Sequence, residues 1–221
     1  MNNKFFEGKD FKGKFKALMP KYYPLKYQKY IDLETELLKT KVNGANRVLE
    51  AGVGIGRLIP EIALLVEEFI GIDVAIRMLN EAKNVSLNFK NVKIEKLEIE
   101  KVGDKYPKDF FDYSLCVWNT LGNVDDEVKV LMELSKVTRK SIFITVYKKG
   151  TLEDRKNWYK TVGIPIREVD ERNEIFYSES GLKSKSYSVE ELHEIASKSG
   201  LKIKEIKILA GVVLWVELIR V

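Results

Sequence analysis

One stretch of the chain decides its fold: Val48-Leu49-Glu50-Ala51-Gly52-Val53-Gly54-Ile55-Gly56-Arg57. The apolar residues at its start predict a buried strand over Arg47–Ala51, and three alternate glycines lead from it into a helix over residues 56–65. Glycine lets the backbone turn sharply and approach a ligand closely, because it has no Cβ to clash. The N-terminus of the next helix offers free amides and the positive end of a dipole. The stretch therefore predicts a strand, a ligand-cradling loop and a helix.

The next predicted strand, Glu68–Asp73, ends in an acid that lies 21 positions after Gly52. In nucleotide-binding folds an acid at this place accepts hydrogen bonds from ribose hydroxyls. The loop and the acid belong to the carboxyl ends of two adjacent strands, and together they predict a nucleoside site. The alternative is a tight turn beside a strand-end acid that faces solvent.

Strand-like and helix-like segments alternate on both sides of this motif. The pattern is typical of an α/β fold with a mostly parallel sheet and helices on both faces. Further strands are predicted over residues 92–97, 111–117 and 141–147, and further helices over residues 24–41, 76–84 and 125–138. The pattern Ser188-Val189-Glu190-Glu191 is that of a capping box, so a helix begins after Ser188. Residues 202–209 and 212–221 predict a closing antiparallel hairpin.

The alternation stops between Lys148 and Ser188, which divides the chain into three parts. Residues 1–43 are predicted to form an N-terminal cap with a helix, and residues 44–148 and 188–221 to form the nucleoside-binding core. Residues 149–187 are predicted to be an inserted substrate lid. Within the lid, Ile175–Ser178 and Lys183–Tyr187 have the pattern of a hairpin.

Composition narrows the classes of function. The chain has 221 residues, a net charge of +5, one cysteine and one histidine. Cys116 lies in an apolar run and predicts a buried structural thiol, and His193 lies on a predicted helix surface. The chain therefore offers few residues for a metal site built on His and Cys or for a serine-type triad. No apolar run approaches a membrane span. The charged N-terminus has no signal core, so we expect a cytoplasmic protein without a membrane partner. The dense Lys and Glu content also suits a thermophile.

The glycine motif resembles the first motif of the class I S-adenosylmethionine-dependent methyltransferases, which have a Rossmann-like fold. These proteins carry an acid two positions before the first glycine, as Glu50 is placed here. The dinucleotide pattern differs, because its third glycine would fall at Arg57 instead of Gly56. The resemblance covers roughly residues 45–147 and 188–221. The closing antiparallel hairpin is also similar to that of this family, whereas a nicotinamide-binding fold usually continues with parallel strands.

The resemblance implies S-adenosylmethionine as the cofactor and a set of binding residues. Glu50 would contact its methionine end and Asp73 its ribose diol. Val74 and Met78 would flank the adenine, and Glu98, where the family more often has Asp, would face the adenine amino group. The full implied set is Glu50, Ala51, Gly52, Gly54, Gly56, Asp73, Val74, Met78, Glu98, Ile99, Trp118 and Asn119.

Two of these residues follow the fourth strand, and each has a simpler alternative. Trp118 and Asn119 would lie near the sulfonium. The alternative for Trp118 is an ordinary position in the core, and the alternative for Asn119 is a cap of the next turn. The run from Trp118 to Asn123 resembles members that act on small molecules more than the Asn-Pro-Pro-Tyr signature of those that methylate amino groups of nucleobases or glutamine.

The acceptor site is expected between the N-terminal cap and the lid, since both lie outside the core pattern. The candidate acceptor-binding residues are Tyr23, Tyr27, Trp158, Tyr159 and Tyr177. The same aromatic residues equally suit a small satellite core, or a staple that holds the N-terminal helix on the sheet. Three arginines, Arg155, Arg167 and Arg172, either bind a carboxylate or phosphate or are solvated.

Four functions remain open from the sequence. The first is methyl transfer to a small-molecule acceptor. The second is methyl transfer to RNA or protein. It is suggested by the locally basic N-terminal segment, which contains Lys4, Lys9, Lys12, Lys14, Lys16 and Lys21. The third is a nicotinamide-dependent oxidoreductase on the same kind of fold, and the fourth is a cofactor-binding module without catalysis. No catalytic base is predicted.

Overall fold

The computed structural model describes residues 4–7 and 19–221, which form ten strands and eight α-helices. Most of the predicted basic N-terminal segment lies outside the described residues. The strands are β1 Arg47–Ala51, β2 Glu68–Asp73, β3 Val92–Lys96, β4 Phe111–Cys116, β5 Thr138–Lys148, β6 Ile166–Asp170, β7 Ile175–Ser178, β8 Lys183–Tyr187, β9 Leu201–Leu209 and β10 Val213–Arg220. The helices are α1 Lys4–Glu7, α2 Leu25–Val42, α3 Ile59–Ile62, α4 Ile76–Ser86, α5 Val102–Lys105, α6 Glu127–Val137, α7 Leu152–Thr161 and α8 Val189–Lys198.

The main sheet confirms the predicted Rossmann-like fold, mostly parallel with an antiparallel C-terminal strand. Its strands run β3-β2-β1-β4-β5, all parallel, and β10 then pairs antiparallel with both β5 and β9. The strand order reverses between β1 and β4, because β2 lies on one side of β1 and β4 on the other. Loops that leave the carboxyl ends of strands diverge at such a switch point and leave a crevice for a ligand. The topology therefore places the glycine loop after β1 at the edge of a crevice.

Two apolar clusters cover the two faces of the sheet. One joins the inward side of α2, including Ile31 and Leu38, to strand residues such as Phe69 and Trp215. The other joins α6 and α8 to the opposite face. The lone thiol, Cys116, is fully buried in this second cluster, and burial raises its pKa to about 12. This confirms its structural role and leaves it unreactive at neutral pH.

The local predictions around the closing elements are confirmed. Ser188 accepts the amide of Glu191 at 3.2 Å, and the Glu191 carboxylate accepts the amide of Ser188 at 2.8 Å, which completes the capping box. The predicted hairpin of β7 and β8 also forms, in antiparallel register. None of the described helices has the length and apolarity needed to cross a membrane.

The prediction of one continuous helix over residues 56–65 is wrong. The structure has a turn, then the four-residue helix α3, then a 3₁₀ turn over Ala63–Leu65. Gly56 has a φ of +82°, which no α-helix accepts, and Pro60 has no amide to donate. The chain after β1 therefore remains a loop as far as Leu58.

The segment between residues 149 and 187 has more regular structure than its sequence indicates. It contains helix α7 and strand β6, and β6, β7 and β8 form a small antiparallel sheet. Strand β8 also pairs in parallel with the end of β5, so this small sheet continues the main one. The pattern of apolar residues does not predict helix α7, because its buried side includes the charged Arg155 beside Trp158 and Tyr159.

Candidate active site

The crevice between β1 and β4 holds a cavity of about 920 Å³, counting its opening to solvent. A smaller recess of about 210 Å³ shares Gly52 and Asp73 with it and extends to Val74, Leu97, Ile99 and Glu100. The cavity is lined by Phe5, Phe6, Glu50, Gly52, Val53, Gly54, Ile55, Arg57, Asp73, Met78, Val117, Trp118, Asn119, Thr120, Asn123, Tyr147, Trp158, Tyr159, Ile164, Leu182 and Ser184.

The glycine loop forms one wall of the cavity. At Gly52 a Cβ would lie 2.7 Å from the Thr120 side chain, so only glycine lets the loop pass this residue. At Gly54, where φ is +54°, a Cβ would meet nothing within 4 Å. A side chain there would thus extend into open space beside the loop. The bare backbone at Gly54 keeps that space available to a ligand.

Asp73 lies at the end of β2 and faces the glycine loop. One carboxylate oxygen accepts the amide of Gly54 at 3.0 Å, and the other accepts the amides of Val74 and Ala75 at 2.7 and 2.9 Å. The loop and the acid therefore meet at one cavity, as the sequence predicts. Asp73 also has a structural role, because it ties the end of β2 to the loop.

Glu50 brings an unpaired carboxyl group to the cavity. It is 4% exposed, and its Oε2 has no hydrogen-bond partner in the described part of the chain. Burial raises the pKa of Glu50 to about 8, an effect that nearby Arg57 opposes and that Glu34 and Asp73 reinforce. A buried carboxyl without a partner suits a cationic ligand, which would stabilise its ionised form.

The turn after β4 carries two residues in left-handed backbone conformations. Trp118 has a φ of +53° and Asn119 a φ of +58°. The turn is held by Thr145 of β5, whose hydroxyl accepts the amide of Trp118 at 2.7 Å and whose carbonyl accepts the amide of Asn119 at 2.9 Å. Such strained backbone persists only where its surroundings enforce it, and it clusters at functional sites.

A buried ion pair that the sequence reading missed supports this wall. Glu34 of α2 is fully buried and accepts hydrogen bonds from Arg57 and from the hydroxyl of Tyr30. The Arg57 guanidinium lies 5.6 Å from the ring centre of Trp118. One feature of the sequence does indicate such a pair. Glu34 lies on the inward face of the predicted helix, where an acid requires a buried partner.

Most of the predicted cofactor-binding residues lie together. Met78 lines the cavity, Val74 and Ile99 line the recess, and Ala51 ends β1 behind the loop. Glu98 does not line either space: its carboxylate is exposed and pairs with Lys101 at 3.0 Å. Glu100 lines the recess instead, because the chain after β3 turns into a 3₁₀ helix over Ile99–Lys101.

The predicted acceptor-binding residues separate into three groups. Trp158 and Tyr159 line the cavity. Tyr23 and Tyr27 are buried behind it, with ring centres 5.2 and 4.8 Å from that of Trp158. Tyr177 lies on β7 and lines neither space. Lining residues absent from the prediction include Phe5, Phe6, Thr120, Tyr147, Leu182 and Ser184.

A strand, a glycine loop and an acid grouped at the switch point of a Rossmann-like sheet define a nucleoside-binding α/β protein. The profile of a family described as a methyltransferase domain matches residues 43–200. The chain therefore belongs to the class I S-adenosylmethionine-dependent methyltransferase family. This membership confirms the predicted fold and S-adenosylmethionine as the cofactor. No curated protein matches the chain significantly.

Solved structures share the fold at low sequence identity. Magnesium protoporphyrin IX methyltransferase of Synechocystis PCC 6803, solved with S-adenosylhomocysteine, is 15% identical, with a TM-score of 0.70 over 99% of this chain and 98% of that chain. A methyltransferase of Aquifex aeolicus is 20% identical, with a TM-score of 0.63 over 85% and 89%. The 1,6-didemethyltoxoflavin N1-methyltransferase of Burkholderia thailandensis is 14% identical, with a TM-score of 0.62 over 83% and 74%.

Proposed function

We propose that the protein transfers a methyl group from S-adenosylmethionine to a small-molecule acceptor. The observation that carries this proposal is one cavity that joins an unpaired buried Glu50, the bare backbone at Gly54 and the strand-end Asp73. Two of the structural relatives described above are named for small-molecule acceptors.

The residues of the site divide between the parts of the cofactor. Glu50 holds the cationic methionine end, with the bare loop at Gly54 beside it. Asp73 binds the ribose diol. Val74 and Ile99, which are buried in the recess, enclose the adenine. This assignment is supported by the charge of each part, since the carboxyl groups face the cationic and hydroxyl-bearing parts and the apolar side chains face the base.

When bound, S-adenosylmethionine supplies an electrophilic methyl group on a positively charged sulfur that keeps the electron pair of the broken carbon–sulfur bond. The protein has to align the acceptor atom with that methyl group and exclude water. Alignment of this kind lowers a barrier by roughly 7–11 kcal/mol. Trp118 and Asn119, held in a strained turn, form the wall nearest the reacting atoms, and the face of Trp118 suits the positive charge.

The acceptor end of the site is formed by the inserted segment and the N-terminal helices. Trp158, Tyr159, Leu182 and Ser184 contribute from residues 149–187, and Phe5 contributes from α1. We assign residues 149–187 as the substrate lid on this basis. Aromatic walls with few polar groups favour a planar, mostly apolar metabolite over a polymer.

Calorimetry with S-adenosylhomocysteine and with NAD tests the cofactor assignment. We expect S-adenosylhomocysteine to bind and NAD to give no heat. Binding of NAD alone would instead support a nicotinamide-dependent oxidoreductase.

The class of acceptor is tested by incubation with methyl-labelled cofactor and a cell extract, followed by filtration that separates small molecules from macromolecules. We expect the label in the small-molecule fraction. Label confined to RNA or protein would overturn the small-molecule assignment, and no label despite confirmed binding of S-adenosylhomocysteine would indicate a non-catalytic cofactor-binding module.

A further inference from the structure

Tyr147 brings to the cavity a hydroxyl group that no described residue binds. It lies near the carboxyl end of β5, is 3% exposed and lines the cavity. Its amide donates to the side-chain oxygen of Asn119 at 3.1 Å, and its ring centre lies 5.7 Å from that of Trp158. Within residues 4–7 and 19–221, no hydrogen bond joins Tyr147 Oη to another group. The ring is therefore held between the turn after β4 and the inserted segment, with its hydroxyl available to a ligand.

Other tyrosine hydroxyls nearby are either engaged or enclosed. Tyr159, the other tyrosine of the described lining, donates its hydroxyl hydrogen to Ser184 Oγ at 2.6 Å. Tyr27 Oη has no partner among the described residues, but it is fully buried and Tyr27 does not line the cavity. Buried hydroxyl groups almost always have a hydrogen-bond partner. Tyr147 is thus the lining tyrosine whose hydroxyl still requires one.

Two electrostatic effects favour Tyr147 as a hydrogen-bond donor. Burial raises the pKa of its phenol well above the ordinary value, so the hydroxyl keeps its hydrogen at neutral pH. Arg155 lies behind the cavity wall, with its guanidinium 4.8 Å from the ring centre of Tyr147. A cation over an aromatic face attracts the electrons of the ring. This attraction makes the O–H group a better donor and the phenolic oxygen a poorer acceptor, so Tyr147 is set to donate to a ligand.

The charges of the lining indicate an uncharged ligand at this wall. The charged residues of the described lining are Glu50, Arg57 and Asp73. Glu50 and Asp73 are assigned to the cofactor, and Arg57 is already paired with Glu34. An ionic group buried beside Tyr147 would therefore lack an opposite charge in the described lining, which is costly. A carbonyl oxygen is uncharged and only accepts hydrogen bonds, so it matches a single phenolic donor.

We propose that the acceptor substrate is an uncharged, planar molecule with a carbonyl oxygen that accepts the hydroxyl hydrogen of Tyr147. This inference rests on the proposed small-molecule methyltransferase function and names the class of its substrate. Tyr147 binds and orients the substrate and removes no proton from it. The planar part of the substrate packs against Trp118 and Trp158, which line the same cavity.

The test is a titration of the full chain with acetophenone, with and without saturating S-adenosylhomocysteine, followed by NMR of the protein. In α-methylstyrene a CH₂ group replaces the carbonyl oxygen in the same planar shape, and benzoate adds a charge at the same size. We expect acetophenone to bind more tightly than benzoate. In Tyr147→Phe the affinity for acetophenone should fall about fivefold relative to that for α-methylstyrene, as expected for one lost neutral hydrogen bond.

Infrared spectroscopy of carbonyl-labelled acetophenone gives a readout that a merely structural role of Tyr147 would not change. A hydrogen bond lowers the stretching frequency of a carbonyl group. We expect the band of bound acetophenone to lie at lower frequency in the wild type than in Tyr147→Phe. Tyr177→Phe is the matched control, because Tyr177 lies on the inserted sheet and outside the cavity lining. It should give the wild-type band and the wild-type affinities.

Circular dichroism checks that Tyr147→Phe is folded. Because the variant removes a hydroxyl without a partner among the described residues, it should melt as the wild type does, and a variant that fails to fold would overturn the inference by showing that the hydroxyl is bound within the protein.

The inference is also overturned if acetophenone does not bind the wild type, if benzoate binds more tightly, or if Tyr147→Phe changes neither the affinity ratio nor the carbonyl band. S-adenosylhomocysteine affinity should be the same in all three proteins. Its loss in the wild type would overturn the proposed function, whereas the acetophenone titration of the cofactor-free protein tests the Tyr147 contact separately.

Discussion

Glu50 is a buried carboxyl group that lines the proposed cofactor site. The strand β1 carries it into the interior, where water cannot solvate its charge and Oε2 has no partner among the described residues. Burial therefore raises its pKa from 4.5 to about 8. In the protein without ligand Glu50 is largely neutral at pH 7, and a cationic ligand would favour its ionisation.

A Glu50→Gln variant should change how stability depends on pH. Because the folded pKa is raised, the carboxyl favours folding fully below about pH 4.5 and loses this contribution as the pH rises towards 8. Gln imitates the protonated form at every pH. We expect the variant to match the wild type near pH 5 and to exceed it by several kcal/mol at pH 8.5, since one pKa unit corresponds to ~1.4 kcal/mol. Urea unfolding at both pH values measures this difference, and parallel pH profiles would contradict it.

A Gly54→Val variant should lose S-adenosylhomocysteine binding and keep the fold. The added side chain would extend into the open space that the loop leaves for the ligand. The positive φ at this position adds backbone strain of about 1–3 kcal/mol. Gly211→Val is the matched control, because Gly211 also has a positive φ, of +77°, and open space around it, in the turn between β9 and β10. Calorimetry should show binding in the control alone; equal affinities in both variants would remove Gly54 from the site.

Strand β5 is the element that joins the parts of the site. It pairs with β4 and β10 along its length and with β8 at its end. Its residue Thr145 fixes the turn of Trp118 and Asn119 through both its hydroxyl and its carbonyl, and the same hydroxyl donates to Glu34. A single strand thus connects helix α2, the turn of Trp118 and Asn119, and the inserted sheet.

A Thr145→Val variant should therefore destabilise the protein. Valine fills the same volume, but it leaves the amide of Trp118 without its acceptor and removes one of the three hydrogen-bond donors to Glu34. The expected cost is about 1–3 kcal/mol for buried polar groups left unpaired. Thr161→Val, at the exposed end of α7, is the control and should cost less than about 0.5 kcal/mol. Urea unfolding followed by tryptophan fluorescence compares them, and equal losses would show that the Thr145 hydroxyl has no special role.

Charge is distributed over the whole molecule in many local pairs. Lys41 pairs with Glu205 and Glu217, Lys105 with Glu95, and similar pairs recur around the described surface. Each exposed pair contributes little to stability. Together they leave only a modest positive excess, a net charge of +5 over 221 residues.

Binding of bulk RNA should accordingly be weak and salt-sensitive. We expect dissociation constants of about 10⁻⁴ to 10⁻⁶ M at physiological salt, typical of binding through phosphate contacts alone. A gel-shift titration over a salt series measures this. Submicromolar binding that persists at high salt would show a dedicated RNA surface and favour the alternative of RNA methylation.

The sequence alone determined the main sheet and the meeting of the glycine loop with Asp73 at its edge. The glycine loop, the strand-end Asp73, the capping box and the closing hairpin are visible because their causes are local: backbone freedom at glycine, side-chain hydrogen bonds to nearby amides, and the periodicity of apolar residues. Only the tertiary structure decided which polar side chains meet. Arg57 finds Glu34 from another element, and Arg155, Tyr159 and Ser184 find Asn119 across the cavity wall. Such contacts join positions far apart in the chain, so no local pattern encodes them, and burial alone makes their partners necessary.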